Sequence, residues 1–247
     1  MFVRAFLHLA RHCGGKPAKA RPRAHAVVIL AGAIIALFAS HAAMAQQPPQ
    51  ETHRPVLLVL GDSLTAGYGL AEDQGFTVQL ASALGARGLD VTVRNAGVSG
   101  DTSAGGLARL DWTLAEGGID AAIVELGAND ALRGLPPEET EKNLDRILTG
   151  LTARGVKVLL AGMQAPPNLG ADYAQRFAAI YPRLAAHHHV LLYPFFLDGA
   201  AAEPALNQAD GMHPNGDGVA IIVQRILPMV VQLLDQADTR PATAATP

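Results

Sequence analysis

The chain has 247 residues, with 19 Lys/Arg against 22 Asp/Glu and a formal charge of −3. Six of the basic residues and none of the acidic ones fall in residues 1–45, so the remainder holds 13 against 22, a formal charge of −9. An acidic remainder with no Lys/Arg cluster excludes nucleic acid and an anionic membrane surface as electrostatic partners, and Cys13, the single cysteine, leaves that remainder without a thiol nucleophile, a disulfide or a thiolate metal site.

Residues 1–45 read as a signal peptide. A basic stretch carrying Arg4, Arg11, Lys16, Lys19, Arg21 and Arg23 precedes the apolar run 26–39, and Ala43-Met44-Ala45 gives a small-x-small cleavage site before Gln46. The apolar run is shorter than the ~20 residues a spanning helix needs, so no stable membrane anchor is expected after cleavage; the alternative reading is a retained membrane anchor. Cys13 precedes that run, which excludes it as a lipoprotein's acylated cysteine. The expected location is periplasmic or secreted. Residues 46–54 read as a flexible leader, 55–236 as one domain long enough for a sizeable core, and the Ala/Thr/Pro-rich segment 237–247 as a disordered tail.

Along the domain, apolar runs alternate with helical patterns. Strands are expected at 56–60, 91–95, 121–126, 156–162 and 190–193, and helices at 76–87, 103–115, 137–153, 173–187 and 215–235. Pro137 followed by Glu138-Glu139 suits a first helical turn, where proline loses no needed N–H and carboxylates oppose the positive end of the dipole. The strand–helix alternation implies an α/β fold, a parallel sheet with helices on both faces. In such sheets the binding crevice lies outside the carboxyl ends of the strands. Strand one ends at Gly61-Asp62-Ser63, strand two at Asn95-Ala96-Gly97 and strand three at Gly127-Ala128-Asn129-Asp130, which puts three small or polar clusters on one edge.

Those clusters hold the parts of acyl-transfer chemistry. Ser63 is a candidate nucleophile in a tight turn; alternatively it is an N-cap for the helix that follows. Asp210 and His213, three residues apart before the last helix, can act as acid and base, the carboxylate fixing the tautomer of the ring; alternatively they are a turn residue and a capping or core histidine. The Ser63 N–H, the Gly97 N–H and the Asn129 amide are candidate oxyanion donors. The competing readings are a turn glycine needing positive φ and an Asx-turn. Asp62 and Asp130 read as structural acids bonding backbone N–H groups. His187-His188-His189 does not read as a metal site, because consecutive helical residues point ~100° apart; a helix end favouring positive charge suits them better. The glycine-rich stretch 97–106 lacks a nucleotide-binding pattern.

Four blocks therefore stand in order: Gly61-Asp62-Ser63-Leu64; Gly97 within Asn95-Ala96-Gly97-Val98-Ser99-Gly100; Gly127-Ala128-Asn129-Asp130; and Asp210-Gly211-Met212-His213-Pro214. This arrangement resembles the GDSL, or SGNH, hydrolase superfamily. The longer strings 61–69 and 105–110 resemble its bacterial thioesterase I/protease I/lysophospholipase and arylesterase group. The resemblance implies a three-layer α/β/α, flavodoxin-like fold on a mostly parallel five-stranded sheet. It implies Ser63 as nucleophile, His213 as base, Asp210 as acid, and oxyanion donors at Ser63, Gly97 and Asn129. It implies no metal and no cofactor, export, and small-molecule acyl or aryl esters, acyl thioesters or lysophospholipids as substrates. The segment 163–170, with Pro166-Pro167, matches a loop beside the acyl pocket in relatives. The rival readings are a carbohydrate O-deacetylase on the same fold and a non-catalytic flavodoxin-like binding module for a flavin or similar anion.

Overall fold

The computed structural model describes residues 53–238. The expected signal peptide, most of the leader and the tail past Asp238 lie outside the described residues.

Five strands, β1 (Val56–Gly61), β2 (Thr92–Gly97), β3 (Ala121–Glu125), β4 (Lys157–Ala161) and β5 (Leu191–Tyr193), pair in the order β2-β1-β3-β4-β5, every pair parallel. The run Leu57-Leu58-Val59-Leu60 has no exposed surface on either face. That is why it is continuously apolar instead of alternating: helices cover both sides of a parallel sheet. Each such side chain contributes roughly 1.5–3 kcal/mol by leaving water.

The helices among the described residues are α1 (Ser63–Ala66), α2 (Phe76–Gly85), α3 (Ser103–Ala108), α4 (Leu110–Leu114), α5 (Ala128–Leu132), α6 (Pro137–Thr152), α7 (Ala171–Ala178), α8 (Ile180–His188) and α9 (Gly216–Asp238). On one side of the sheet α9 packs against α2, β4 and β5; α6 joins α3 and α8 in the other layer, against β4. The result is the expected three-layer α/β/α architecture.

Two expected helices are each divided. The 103–115 segment breaks at Arg109 (φ −102, ψ 2), whose side chain reaches Asp101 Oδ2 at 2.7 Å and the Gly61 carbonyl at 3.0 Å. The 173–187 segment breaks at Ala179. There Pro182 has no N–H to give to the Ala178 carbonyl, and its ring would crowd that carbonyl in a continuous helix. At the other end, α9 continues to Asp238 with Ala237 buried, so residues 237 and 238 belong to the helix instead of the tail. Residues 53 and 54 are tied down as well, His53 Nε2 to Asp120 Oδ1 at 3.0 Å and Arg54 Nε to Asp90 Oδ1 at 2.9 Å.

The short α5 was not foreseen, and it matters for the site. Gly127, at φ +118, turns the chain from β3 into it. Asp130, 1 % exposed, then accepts hydrogen bonds from the Ser103 N–H (2.8 Å), the Ser103 hydroxyl and the Thr140 hydroxyl (3.1 Å), locking α5 to α3 and α6. Asp130→Ala strands three buried donors, and the unfolding free energy should fall by about 3 kcal/mol or more. A urea titration showing an unchanged midpoint at unchanged slope would refute that account.

Candidate active site

The site begins with a capping arrangement. Asp62, fully buried, is the N-cap of α1, its Oδ1 accepting from the Leu64 N–H at 3.0 Å. Ser63 is therefore the first residue inside the helix, and its hydroxyl is not consumed by the backbone. It lies 2.9 Å from His213 Nε2.

His213 and Asp210 come from one loop. Asp210 Oδ1 accepts from the N–H groups of Met212 (2.9 Å) and His213 (3.0 Å), while Oδ2 lies 2.6 Å from His213 Nδ1. The His213 N–H, the ring contact and the Met212 N–H hold the Asp210 carboxyl down at about 2, so it is ionised wherever an enzyme works. An ionised carboxylate only accepts, so the proton sits on Nδ1 and leaves Nε2 to accept from the Ser63 hydroxyl. The loop is braced by Gln208, whose side-chain amide donates to the Tyr68 and Pro214 carbonyls at 2.8 and 3.0 Å. The Tyr68 ring packs 4.7 Å from the imidazole.

Asn129 reaches the same place from the first turn of α5. Its amide donates to Asp62 Oδ2 and to the Asp101 carbonyl, both at 3.0 Å. Asp101 is bridged by Arg109, which also holds the Gly61 carbonyl. The Gly61–Ser63 turn, the loop after β2 and α5 are thus joined in one ring of hydrogen bonds.

Gly97 does not join them as expected. Its N–H is spent on Asn95 Oδ1 at 2.9 Å, and a Cβ at this position would fall on the backbone of Ala66. Its φ is not positive, so it is not a turn glycine either; glycine is required because β2 and α1 approach closely. The residue in that block with turn geometry is Gly100, at φ +84, its carbonyl accepting from Arg133 at 2.7 Å.

Behind the turn lie two buried acids. Burial raises Asp62 to about 6, against the pull of the Leu64 N–H, His213 and Asn129. Burial, with Asp62 adding repulsion, pushes Glu125 well above the carboxylate range. In front opens a cleft of about 510 Å³ whose lining includes Ser63, Asn129 and His213 together with Leu64, Leu132, Pro166 and Leu197. Gln164, Ala165, Pro166 and Pro167 of the anticipated acyl-pocket loop border it.

Residues 59–221 match the GDSL-like Lipase/Acylhydrolase family. The chain belongs to this family. Esterase TesA of Pseudomonas aeruginosa is 42% identical over 185 residues, covering 75% of this chain and 92% of its own. The arylesterase of Vibrio mimicus is 40% identical over 178 residues, covering 72% and 89%. Thioesterase 1/protease 1/lysophospholipase L1 of Escherichia coli is 41% identical over 166 residues, covering 67% and 78%. The crystal structure of TesA superimposes with a TM-score of 0.69 at 42% identity, covering 72% of this chain and 99% of its own. The chain is a serine esterase of the GDSL family, and the binding-module and deacetylase readings are not favoured.

Sequence reasoning assigned no role to Tyr68, Asp101, Arg109, Glu125 or Gln208. Tyr68 and Arg109 stand inside the strings 61–69 and 105–110 that resemble the family, which is the signal the sequence carries for them. The histidine run ends α8, with His189 left-handed at φ 52 as its C-cap. Asp145, His187 and His188 bring ligand atoms within 4.8 Å of one another, with His188 Nε2 lying 2.8 Å from Asp145 Oδ1.

Asp62→Asn keeps one acceptor and turns the other into a donor facing either Leu64 N–H or the Asn129 amide. Turnover of an aryl ester should fall about tenfold or more, in the range for one misdirected oxyanion donor. The sign of the pH effect follows from a folded value above the unfolded one. Ionised Asp62 costs stability, a cost absent below pH 3.8 and complete above about 6. The stability of Asp62→Asn relative to the native chain should therefore rise from pH 4 to pH 7 in denaturant titrations, and a constant difference would contradict it.

Proposed function

We propose that this esterase hydrolyses acyl and aryl esters through an acyl-enzyme on Ser63. The Ser63 Oγ attacks the carbonyl carbon while its proton passes to His213 Nε2. The imidazolium, stabilised by Asp210, returns that proton to the leaving oxygen as the ester bond breaks. Water, activated by the same nitrogen, then releases the acid and regenerates the serine. The observation that carries this reading is the unbroken contact line Ser63 Oγ to His213 Nε2 at 2.9 Å and His213 Nδ1 to Asp210 Oδ2 at 2.6 Å.

For the oxyanion we assign the Ser63 N–H, the Gly100 N–H and the Asn129 amide. Among the described residues neither N–H has an acceptor, and Gly100 precedes the Asp101 carbonyl that touches Asn129. The Asn129 amide trades its bond to that carbonyl for the oxyanion.

The cleft supports a hydrocarbon acyl group: Leu64, Leu132, Pro166 and Leu197 face it, and its lining holds no Lys or Arg that would grip an anionic leaving group inside. Acyl thioesters and lysophospholipids fit the same cleft when the charged portion stays in solvent, and the 164–167 loop sets the acyl length accepted. Residues 1–45 are the export signal in this reading, and the intact mass of the exported protein reads the cleavage point.

Ser63→Ala should remove p-nitrophenyl butyrate hydrolysis and labelling by an organophosphonate while the circular dichroism stays native; retained turnover would exclude the mechanism. Asn129→Ala should lower kcat about 10²–10³-fold. In an acyl-length series the rate should rise from acetate toward longer chains. A strict acetyl preference would instead favour deacetylation of a carbohydrate.

A further inference from the structure

Glu125 ends β3 with no exposed surface, and no step of ester hydrolysis uses it. Across the β1–β3 ladder it is the partner of Gly61, the residue that opens the nucleophile turn. A Cβ on residue 61 would fall on Glu125 Oε2 and on the Thr65 hydroxyl. The absent side chain of Gly61 is therefore the space in which this carboxyl group lies.

From that space Oε2 accepts from the Thr65 hydroxyl at 2.7 Å and from the Asp62 N–H at 3.3 Å. Asp62 and Thr65 bracket Ser63. Oε1 is buried with no hydrogen-bond partner among the described residues. The other carboxyl of the pair, Asp62, faces forward and holds the Asn129 amide.

We propose that Glu125 is a positioning residue: seated in the space Gly61 leaves, its carboxyl group fixes the Asp62–Thr65 turn from behind and so aims the Ser63 hydroxyl and, through Asp62, the Asn129 amide. The proposal rests on Ser63 being the nucleophile.

The working form is the neutral acid. Burial and the neighbouring Asp62 carboxyl both raise Glu125, and the Thr65 hydroxyl and the Asp62 N–H offset only part of that. Around it the titratable groups are Asp62 on the turn and Tyr181 on α8, whose hydroxyl donates to the Leu126 carbonyl at 3.1 Å. Beyond Asp62 stand His213 and the Asp101–Arg109 pair. An ionised Glu125 would leave a charged Oε1 in the core with nothing to meet it.

The test compares Glu125→Gln, Glu125→Ala and Thr65→Val on p-nitrophenyl butyrate and on an organophosphonate. Gln offers an uncharged oxygen to the same two donors, so kcat should stay within about threefold of native. Glu125→Ala should lower kcat about 30- to 100-fold with KM nearly unchanged, the size expected for a misplaced nucleophile, and should slow phosphonate labelling by a similar factor. Thr65→Val should cost about tenfold in kcat, and it decides the matter if Glu125→Ala does not fold. The melting temperature of Glu125→Gln relative to native should climb as pH rises above 4.5, because a buried acid raised above its unfolded value costs stability from that pH upward. Native kcat in folded Glu125→Ala or in Thr65→Val overturns the proposal, as does an equal loss in Gln and Ala, which would mean that the anion is needed. A native chain that neither turns over nor takes the phosphonate removes the Ser63 reading itself.

Discussion

One carboxylate organises the site. Asp62 gives Oδ1 to the Leu64 N–H and Oδ2 to the Asn129 amide. The first bond decides that the cap of α1 is Asp62, which releases the Ser63 hydroxyl for His213. The second decides where the Asn129 amide stands. The Ser63 turn and the Asn129 amide, proposed as nucleophile and oxyanion donor, are thus positioned by two oxygens of a single planar group, and neither can shift without the other feeling it. Full burial makes the arrangement stiff, since a buried carboxylate that loses a donor has no water to replace it. The same burial raises Asp62 to about 6. The enzyme accepts that electrostatic cost at the place where it needs geometric definition.

The proposed general base is fixed on a different principle. His213 and Asp210 lie in an exposed loop far along the chain, with little core beneath them. Their rigidity comes from local hydrogen bonds: two backbone N–H groups on Asp210 Oδ1, the ring on Oδ2, and the Gln208 side chain clamping the loop to the Tyr68 carbonyl. Because Asp210 and His213 share one turn, the pair moves as a unit relative to Ser63. The Tyr68 ring, on the segment that follows α1, is the packing contact that registers this unit against α1.

How much of this the sequence discloses depends on the range of each interaction. The order of strands and the crevice edge follow from apolar runs ending in small polar clusters, because burial on both faces leaves a plain compositional mark. The pairing of Asp210 with His213 follows from spacing within one turn. Helix breaks were legible in principle at Pro182, where the missing N–H is a covalent property, but not at Arg109, whose conformation answers to Asp101 and to the Gly61 carbonyl across the sheet edge. Gly97 shows the same limit. Three meanings of a glycine (positive φ, a free N–H, a close approach) leave the same letter, and only the position of Ala66 selects the third. Glu125 was invisible for a related reason: a charged residue ending an apolar strand looks like the strand's exposed end until its partner across the ladder is known to be Gly61.

That last pair changes what the Gly-Asp-Ser motif means physically. A glycine before a catalytic serine is commonly read as a conformational necessity of the turn, yet Gly61 does not adopt positive φ. It lies in regular strand, paired on one side with Gly97 and on the other with Glu125. Each glycine of the Gly61–Gly97 pair leaves a space that is used: the Glu125 carboxyl and the Thr65 hydroxyl lie where a Gly61 Cβ would stand, and the bare Gly97 Cα lets the Ala66 backbone descend onto β2. Two missing methyl groups at one sheet edge therefore let a four-residue helix sit low enough for its first hydroxyl to meet a histidine 150 residues away in the chain. The motif is a packing solution before it is a catalytic one, and the chemistry proposed at Ser63 follows from how closely three strand ends and one short helix can be brought together.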